Sequence, residues 1–327
     1  MKTKTEYVLL AVIIIGLSLY LVTRNPDRTR YELPELSQIR KEDISKIEIL
    51  KPDTSILLEK VHDEWHLGPA GYLANPDRVE NMLNTIKGLS LTALVSESGN
   101  YSRYGLDDDS KIGVKAWAGG KLSREFEIGK VASSFRHTFV KLPGDKRVYH
   151  ARGNFRNQFD QTVDALREKT VLSFDSTAIR EIRITKGKDT TALVLTEIAE
   201  EKPDNQAGVE RVWLTADGRR GDEGQLKELL RILSSVQCET FIDGQKKEDF
   251  ADPIYTIHCI GTEDHTLSVF AKKEKEAKSY PAVSTDSDYP FLLPAWQVDS
   301  LMKKAEEILK NLQEGETRPD REKTTSP

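Results

Sequence analysis

DISKIEI, at residues 43–49, alternates apolar with charged side chains, so that Ile47 and Ile49 fall on one side of an extended chain. This period of two predicts a half-buried β-strand. A second strand is predicted at residues 55–61, and a third, shorter strand carries Trp65. The globular part of the chain is therefore predicted to begin with a small antiparallel meander.

The same pattern returns later in the chain, which predicts an internal duplication. The first strand has a counterpart at a constant offset, in which Ile44, Ile47, Ile49 and Lys51 correspond to Ile179, Ile182, Ile184 and Lys186. The first helix also has a counterpart, in which Val79, Leu83 and Ile86 correspond to Leu226, Leu230 and Leu233. Trp65 corresponds to Trp213 in the same alignment. The correspondence predicts two tandem units of similar construction.

Local signals place the helices of these units. Asn75 caps free amide groups and Pro76 loses no hydrogen bond at a first helical position, so a helix is predicted from there to Gly88. Further helices are predicted from about residue 154 to residue 168 and at residues 295–312. Each unit is thus expected to be an antiparallel sheet covered on one face by helices.

YVLLAVIIIGLSLYLVT, at residues 7–23, carries no charge and predicts a single membrane-spanning helix. A cleaved secretory signal is the main alternative, but no small-residue cleavage site follows the run. A buried helix of a soluble protein is the other alternative. The N-terminal tail before the run is only a few residues long, so we expect a single-pass membrane protein whose C-terminal domains are extracytoplasmic.

The predicted order along the chain combines these elements. It consists of a transmembrane signal anchor (1–24), a linker (25–40), a first α+β repeat (41–172), a second α+β repeat (173–312) and a disordered tail (313–327). The predicted fold class is α+β, with an N-terminal transmembrane helix followed by two tandem antiparallel-sheet-plus-helix repeats.

Charge and cysteine content exclude several classes of protein. The chain has 48 Lys and Arg residues against 53 Asp and Glu residues, a net charge of −5 at pH 7, and the signs alternate along it. This balance argues against a nucleic-acid partner. Cys238 and Cys259 are too few for a disulfide-rich scaffold or a Cys-only metal site. The sequence leaves open whether they form one bridge or remain two buried thiols.

Three short motifs suggest chemistry, and each has a simpler structural interpretation. His62 and His66 have the spacing of a helical metal pair, but they flank a strand. The three aspartates of residues 107–109 lack the alternation of a calcium loop and predict a turn. Residues 220–222 spell Arg-Gly-Asp, but Asp222 is placed to cap a helix.

No catalytic signature is present in the sequence: it contains no Walker loop, nucleophile elbow or dinucleotide fingerprint. The six histidines are scattered and accompany no candidate nucleophile. Trp65 and Trp213 are interpreted as core residues and not as a ligand platform. The sequence therefore predicts no catalytic, cofactor-binding or metal-ligating residue, no cofactor and no enzyme activity.

Several local signatures together resemble the uncharacterised bacterial family called domain of unknown function 4340. They are the strand at residues 44–49, the strand with Trp65, Tyr104-Gly105-Leu106-Asp107, Glu127-Ile128-Gly129-Lys130, and residues 165–169 leading to residues 172–175. Members of that family are often encoded beside a gliding-motility-type ABC transporter permease and its exported auxiliary subunit. The resemblance therefore implies an accessory role in the cell envelope, at the bacterial inner (cytoplasmic) membrane, with the C-terminal domains in the periplasm. The second repeat departs from the pattern, because Phe250-Ala251-Asp252-Pro253 stands where the first has Tyr104-Gly105-Leu106-Asp107.

These observations favour one functional hypothesis over two others. The first is a non-catalytic, membrane-tethered accessory or scaffold protein associated with an ABC transport system. Its expected partners are the membrane and a protein, either the ABC transporter permease or its exported auxiliary subunit. The alternative is an exported binding module for a peptide or glycan, and an enzyme is the third possibility.

Overall fold

The computed structural model describes residues 2–23, 31–201, 207–274 and 276–314. The chain divides into two compact units, Met1–Arg167 and Glu168–Pro327, whereas the sequence placed the division between residues 172 and 173. The tail predicted at residues 313–327 lies outside the described residues from residue 315 onward.

The first unit contains nine strands and four helices in its described residues. The strands are β1 (Ile44–Leu50), β2 (Ser55–Val61), β3 (Glu64–Leu67), β4 (Tyr72–Leu73), β5 (Leu91–Ser96), β6 (Ile112–Ala118), β7 (Lys121–Val131), β8 (His137–Lys141) and β9 (Val148–Arg152). The helices are α1 (Lys2–Thr23), α2 (Pro76–Gly88), α3 (Arg156–Phe159) and α4 (Val163–Leu166), and short 3-10 turns cover Lys41–Asp43 and Tyr101–Tyr104.

These nine strands form one antiparallel sheet in the order β4-β3-β2-β1-β6-β7-β8-β9-β5. The predicted alternation in the first strand is confirmed, because Ile44, Ile47 and Ile49 are all buried in the core. The predicted start of α2 is also confirmed: Asn75 accepts a hydrogen bond from the Arg78 amide, and Pro76 is the first helical residue. The apolar face of α2 packs into the same core.

The second unit contains ten strands and two helices in its described residues. The strands are β10 (Thr170–Ser173), β11 (Glu181–Lys186), β12 (Asp189–Glu201), β13 (Ala207–Leu214), β14 (Ser235–Gln237), β15 (Thr240–Phe241), β16 (Tyr255–Ile260), β17 (Asp264–Val269), β18 (Ser279–Ser284) and β19 (Phe291–Pro294). The helices are α5 (Glu223–Leu233) and α6 (Ala295–Glu314), and 3-10 turns cover Ser176–Ala178 and Lys247–Asp249.

Eight of these strands form an antiparallel sheet in the order β13-β12-β11-β16-β17-β18-β19-β15, and β10 pairs with β14. Helices α5 and α6 supply apolar side chains to its core. Trp213 in β13 is 6 % exposed and Trp65 in β3 is 9 % exposed, and both belong to hydrophobic cores. Their interpretation as core residues is confirmed.

The predicted fold class, α+β with an N-terminal transmembrane helix followed by two tandem antiparallel-sheet-plus-helix repeats, is wrong. The described chain is mostly β, built from large antiparallel sheets with few helices. The helix predicted at residues 154–168 shows one reason: Thr162 accepts a hydrogen bond from the Ala165 amide and starts a new helix there. Two four-residue helices, α3 and α4, replace the predicted one.

The predicted transmembrane anchor is also wrong. Helix α1 spans Lys2–Thr23, but in the described part of the chain no helix is both long enough and apolar enough to cross a membrane. The predicted localisation, a single-pass inner-membrane protein with periplasmic C-terminal domains, loses its basis with the anchor.

Part of the predicted linker at residues 25–40 packs against the first unit. Residues 31–40 have no regular secondary structure. Leu33, Leu36 and Ile39 nevertheless contact the hydrophobic core. The buried Arg124 guanidinium also donates a hydrogen bond to the Ser37 carbonyl oxygen. These contacts tie the described part of this segment to the first sheet.

Candidate functional site

The short motifs that suggested chemistry in the sequence have structural roles in turns and helix caps. His62 lies in the β2–β3 turn with a φ of 49°, and the Nδ1 atom of His66 lies 3.1 Å from the Gly71 carbonyl oxygen. Asp222 accepts a hydrogen bond from the Gln225 amide at 2.9 Å and caps α5, as predicted. The residues that the structure describes contain no group of three or more His, Cys, Asp or Glu arranged to hold a metal ion.

Cys238 and Cys259 are both buried in the second unit, and no disulfide joins them. Cys259 is 1 % exposed, and its burial raises the pKa of its thiol to about 12. A thiol in this state is protonated at neutral pH and is a poor nucleophile.

Two of the family-like motifs meet in the first unit. A loop of residues 101–111, here called the junction loop, carries Tyr104-Gly105-Leu106-Asp107 and lies against Gly129 of β7. Gly105 has a φ of 63°, and a Cβ atom there would lie 3.1 Å from the Lys130 amide nitrogen. A Cβ atom on Gly129 would lie 2.3 Å from the Tyr104 carbonyl oxygen. Glycine at both positions therefore permits the close contact between loop and strand.

This contact places a group of alternating charges beside the loop. The charged cluster consists of Asp108, Lys111, Glu127 and Lys141. The Lys111 ammonium lies 2.6 Å from Asp108 and 3.2 Å from Glu127, and Lys141 lies 2.6 Å from the other oxygen of Glu127. A hydrogen bond to Asp108, together with the Glu127 carboxylate, raises the pKa of Lys111. The same hydrogen bond lowers the pKa of Asp108, so Asp108 and Lys111 are both charged at neutral pH.

The charged cluster lies on the face of the first sheet that points away from the core. In β7, Phe126 and Ile128 are buried while Glu125 and Glu127 point the other way. Lys115 of β6 extends the cluster, at 3.9 Å from Glu125. The result is a strip of paired cations and carboxylates that crosses neighbouring strands.

Two shallow clefts flank the charged cluster. One has a volume of about 280 Å³, and its lining includes three members of the cluster, Asp108, Lys111 and Glu127, together with Pro52 and Pro143. The other has a volume of about 410 Å³ and shares Lys51, Pro52 and Lys111 with the first. Lys51 is itself held by the Gln161 carbonyl oxygen and lies 3.1 Å from Asp160. Both volumes are at the small end of the range for ligand pockets.

An aromatic group continues the same face of the sheet. The ring of Phe139 lies 5.0 Å from Tyr104 and 4.9 Å from His150, and His150 stacks on His137 at 5.1 Å. Burial, together with the neighbouring His137, lowers the pKa of His150, so this imidazole is neutral at pH 7. The exposed face thus combines charged side chains with flat apolar rings.

The β8–β9 turn next to the first cleft is held by one carboxylate. Asp145 accepts hydrogen bonds from Arg147 Nε at 3.0 Å and Arg147 Nη2 at 2.9 Å, and from the Tyr149 hydroxyl at 2.7 Å. The side-chain hydrogen bonds from Arg147 are the largest cause that lowers the pKa of Asp145 to about 2. Burial is the largest cause that raises the pKa of Tyr149 to about 12.

We expect Asp145→Asn to lower the free energy of unfolding at pH 7 by about 2 kcal/mol, because the lowered pKa measures the stabilisation of the ionised form. Because the pKa of Asp145 is lower in the folded protein than in the unfolded chain, its carboxylate stabilises the fold. This stabilisation is fully present above the unfolded-state pKa, near 4, and is lost as the pH falls toward 2. The variant should therefore lose less stability than the wild type between pH 4 and pH 2 in urea titrations. The control, Asp109→Asn, changes an exposed carboxyl and should alter stability by less than about 0.5 kcal/mol. Equal acid sensitivity of Asp145→Asn and the wild type would contradict this assignment.

A histidine–carboxylate pair in the second unit has no signal in the sequence. Nδ1 of His265 lies 3.0 Å from Asp286 Oδ1. Burial acts to raise the pKa of Asp286, but hydrogen bonds from the Ser173 amide, Thr285 and His265 outweigh it and lower that pKa. Cys259 lies opposite His265 in the β16–β17 pair, but its buried thiol is protonated. Asp286 therefore fastens the turn after β18 to β17 through His265 and to β10 through the Ser173 amide.

The match to known proteins covers both units in part. A family model described as "Domain of unknown function (DUF4340)" matches residues 65–253, more than half of the chain. The matched region begins in β3, includes the junction loop and β7, and ends before β16. It confirms the resemblance drawn from the motifs. Searches among curated proteins and among solved structures find no match.

Proposed function

The chain belongs to the DUF4340 family, and we propose that it is a non-catalytic accessory protein that binds a protein component of an ABC transport system. The observation that carries the proposal is the charged cluster, which lies between two shallow clefts and an aromatic group on one exposed sheet face. Each cation in the cluster already has a carboxylate partner, so the arrangement suits exchange of ion pairs with another protein.

Energetics support a binding role for the charged cluster. Partly exposed ion pairs contribute only about 0–1 kcal/mol each to stability, so fold stability alone is a weak reason for the arrangement. Alternating charges on an interface instead select a partner with the complementary pattern and steer its approach. Tyr104 and Phe139 add flat apolar surface of the kind enriched in protein interfaces.

The identity of the partner is proposed from the family resemblance. The association of such proteins with ABC transporter genes suggests the permease or its exported auxiliary subunit as the binding partner. The small volume of both clefts also suits a protein surface better than a drug-sized ligand.

We expect the full-length chain to bind the purified permease or auxiliary subunit in isothermal titration calorimetry, and Lys141→Glu to weaken that binding at least about tenfold. The substitution places a second negative charge beside Glu127. The charge that the cluster presents to the partner at this position therefore changes from positive to negative. Lys121→Glu is the matched control. Lys121 is also an exposed lysine, but it is the first residue of β7 and is not part of the charged cluster.

Equal binding by both variants would place the interface elsewhere on the protein. A catalytic turnover abolished by one polar substitution in the clefts would contradict the non-catalytic role.

A further inference from the structure

The turn between β7 and β8 has a backbone conformation that suits glycine, but it carries phenylalanine. Residues 132–136, here called the hairpin tip, join the two strands. The Phe135 amide donates a hydrogen bond to the Ala132 carbonyl oxygen at 2.8 Å, and Phe135 has a φ of 56°. This left-handed region is uncommon for any residue other than glycine and is an outlier for a bulky side chain. Phenylalanine therefore strains the backbone at this position.

The ring of Phe135 is also poorly placed in relation to solvent. Its side chain is 74 % exposed, so most of its apolar surface faces water. Transfer of such a surface out of water is favourable. Neither the backbone conformation nor the exposure of Phe135 helps the chain to fold. We therefore expect the ring to act on another molecule, since residues that oppose stability are typical of functional positions.

The hairpin tip is held in place by the loop after β9. The Gly153 amide donates a hydrogen bond to the Arg136 carbonyl oxygen at 2.8 Å. The buried Thr138 hydroxyl donates to the Gly153 carbonyl oxygen at 2.8 Å and accepts a hydrogen bond from the Phe155 amide at 3.3 Å. A partner therefore meets an ordered backbone, and binding there costs little conformational freedom.

The charge next to the hairpin tip is positive. Arg136 belongs to the tip, and Arg152 lies opposite His137 in the β8–β9 pair. Both arginines are exposed, and within the described part of the chain neither guanidinium forms an ion pair. Residues 128–144 and 151–155 include no Asp or Glu, and none of the residues that line a shallow cleft beside Arg152 is acidic. The charge therefore favours an acidic partner surface.

A pocket in a protein fits the hairpin tip better than a lipid surface does. The tip offers one aromatic ring, because its neighbours Ser133 and Ser134 are polar. Binding to a bilayer requires a larger buried apolar area or a cluster of several basic residues. Phenylalanine and arginine are both enriched at protein interfaces.

The hairpin tip adjoins the aromatic group of the first unit. His137 follows Arg136 directly in the chain and stacks on His150, which contacts Phe139. The tip therefore lies at the end of the exposed sheet face that carries the charged cluster. This continuity connects Phe135 with the surface to which the proposed function assigns the partner.

We propose that Phe135 is the anchor of the interface with the ABC transport component, and that its ring enters an apolar pocket rimmed by carboxylates on that partner. Arg136 and Arg152 pair with the rim. The inference rests on the proposed function and adds to it a specific anchor residue and the chemistry of the partner's site.

The test is isothermal titration calorimetry of the full-length chain with the purified permease or auxiliary subunit. We expect Phe135→Gly to weaken binding at least about tenfold, and Phe135→Tyr, which keeps the ring, to bind within about threefold of the wild type. The double variant Arg136→Glu/Arg152→Glu should also weaken binding at least about tenfold. Leu122→Ala is the matched control and should leave the affinity unchanged, because Leu122 is 48 % exposed but lies at the opposite end of β7.

Thermal unfolding separates this role from a structural one. Glycine adopts the left-handed conformation without strain, so the melting temperature of Phe135→Gly should stay within about 4 °C of the wild type or rise above it. A larger fall would mean that the ring stabilises the fold, and the proposal would be wrong.

The binding results distinguish failure of this inference from failure of the proposed function. If Lys141→Glu weakens binding but Phe135→Gly binds as tightly as the wild type, the proposed function stands and the anchor is refuted. If the wild-type chain binds neither transport component, both are refuted. If Phe135→Gly instead loses binding to vesicles of phosphatidylserine and phosphatidylcholine, the ring belongs to a lipid contact and the protein pocket is refuted.

Discussion

Replacing Trp65 with alanine should lower the free energy of unfolding by about 3–5 kcal/mol, the usual cost of truncating a buried tryptophan. The indole of Trp65 is 9 % exposed and packs in the core of the first unit, so its removal leaves a cavity that the surrounding strands fill only in part. Urea unfolding followed by circular dichroism measures the change, and a constant m-value would show that the transition itself is unaltered.

Trp296→Ala is the matched control for that measurement. Its side chain is 74 % exposed, so the stability should change by less than about 0.5 kcal/mol. A loss below about 1 kcal/mol in Trp65→Ala would mean that the ring is a surface platform and not a core residue.

Gly129→Ala should destabilise the first unit by about 3 kcal/mol, at the upper end of the usual cost of overpacking. The added methyl group would lie 2.3 Å from the Tyr104 carbonyl oxygen and 2.9 Å from Leu106 Cγ. Tyr104 meets it through the main chain, so rotation of a flexible side chain does not relieve the clash. The junction loop must move away from β7 and carry Asp108 and Lys111 with it, which also predicts weaker binding through the charged cluster.

Gly88→Ala is the control for this substitution. No atom lies within 4 Å of the position that a Cβ atom on Gly88 would take. The free energy of unfolding of this variant should therefore be unchanged or slightly higher than that of the wild type. Thermal unfolding of both variants makes the comparison. Similar melting temperatures for Gly129→Ala and the wild type would contradict the close contact between the two family motifs.

The parts of the fold that follow local rules were predicted from the sequence. The alternation in β1, the Asn75 cap of α2 and the Asp222 cap of α5 each depend on residues within a few positions of one another. The Gly119-Gly120 turn between β6 and β7 also depends on adjacent residues, since both glycines have a positive φ, as a tight hairpin turn requires. Local sequence carries this information because the interactions themselves are local.

The errors in prediction arose where length or distant pairing decides the outcome. Residues 7–23 carry no charge and suggested a membrane anchor, but in the described part of the chain no helix is both long and apolar enough to cross a membrane. Residues 154–168 have a helical period, but the Thr162 cap divides them. The fold class was wrong because strand pairs such as β5 with β9 join segments far apart in the chain and carry no local signature.

Some features of the candidate site could be predicted from the sequence, and others are visible only in the tertiary structure. The sequence indicated the family through stretches that include Tyr104-Gly105-Leu106-Asp107 and Glu127-Ile128-Gly129-Lys130, and the family match confirmed the family over residues 65–253. Only the tertiary structure decided that the two motifs touch and that Lys111, Glu127 and Lys141 form one charged cluster. The physical reason is that ion pairs and close backbone contacts between separate strands depend on sheet order and register, which are set by packing of the whole unit and not by any single stretch of sequence.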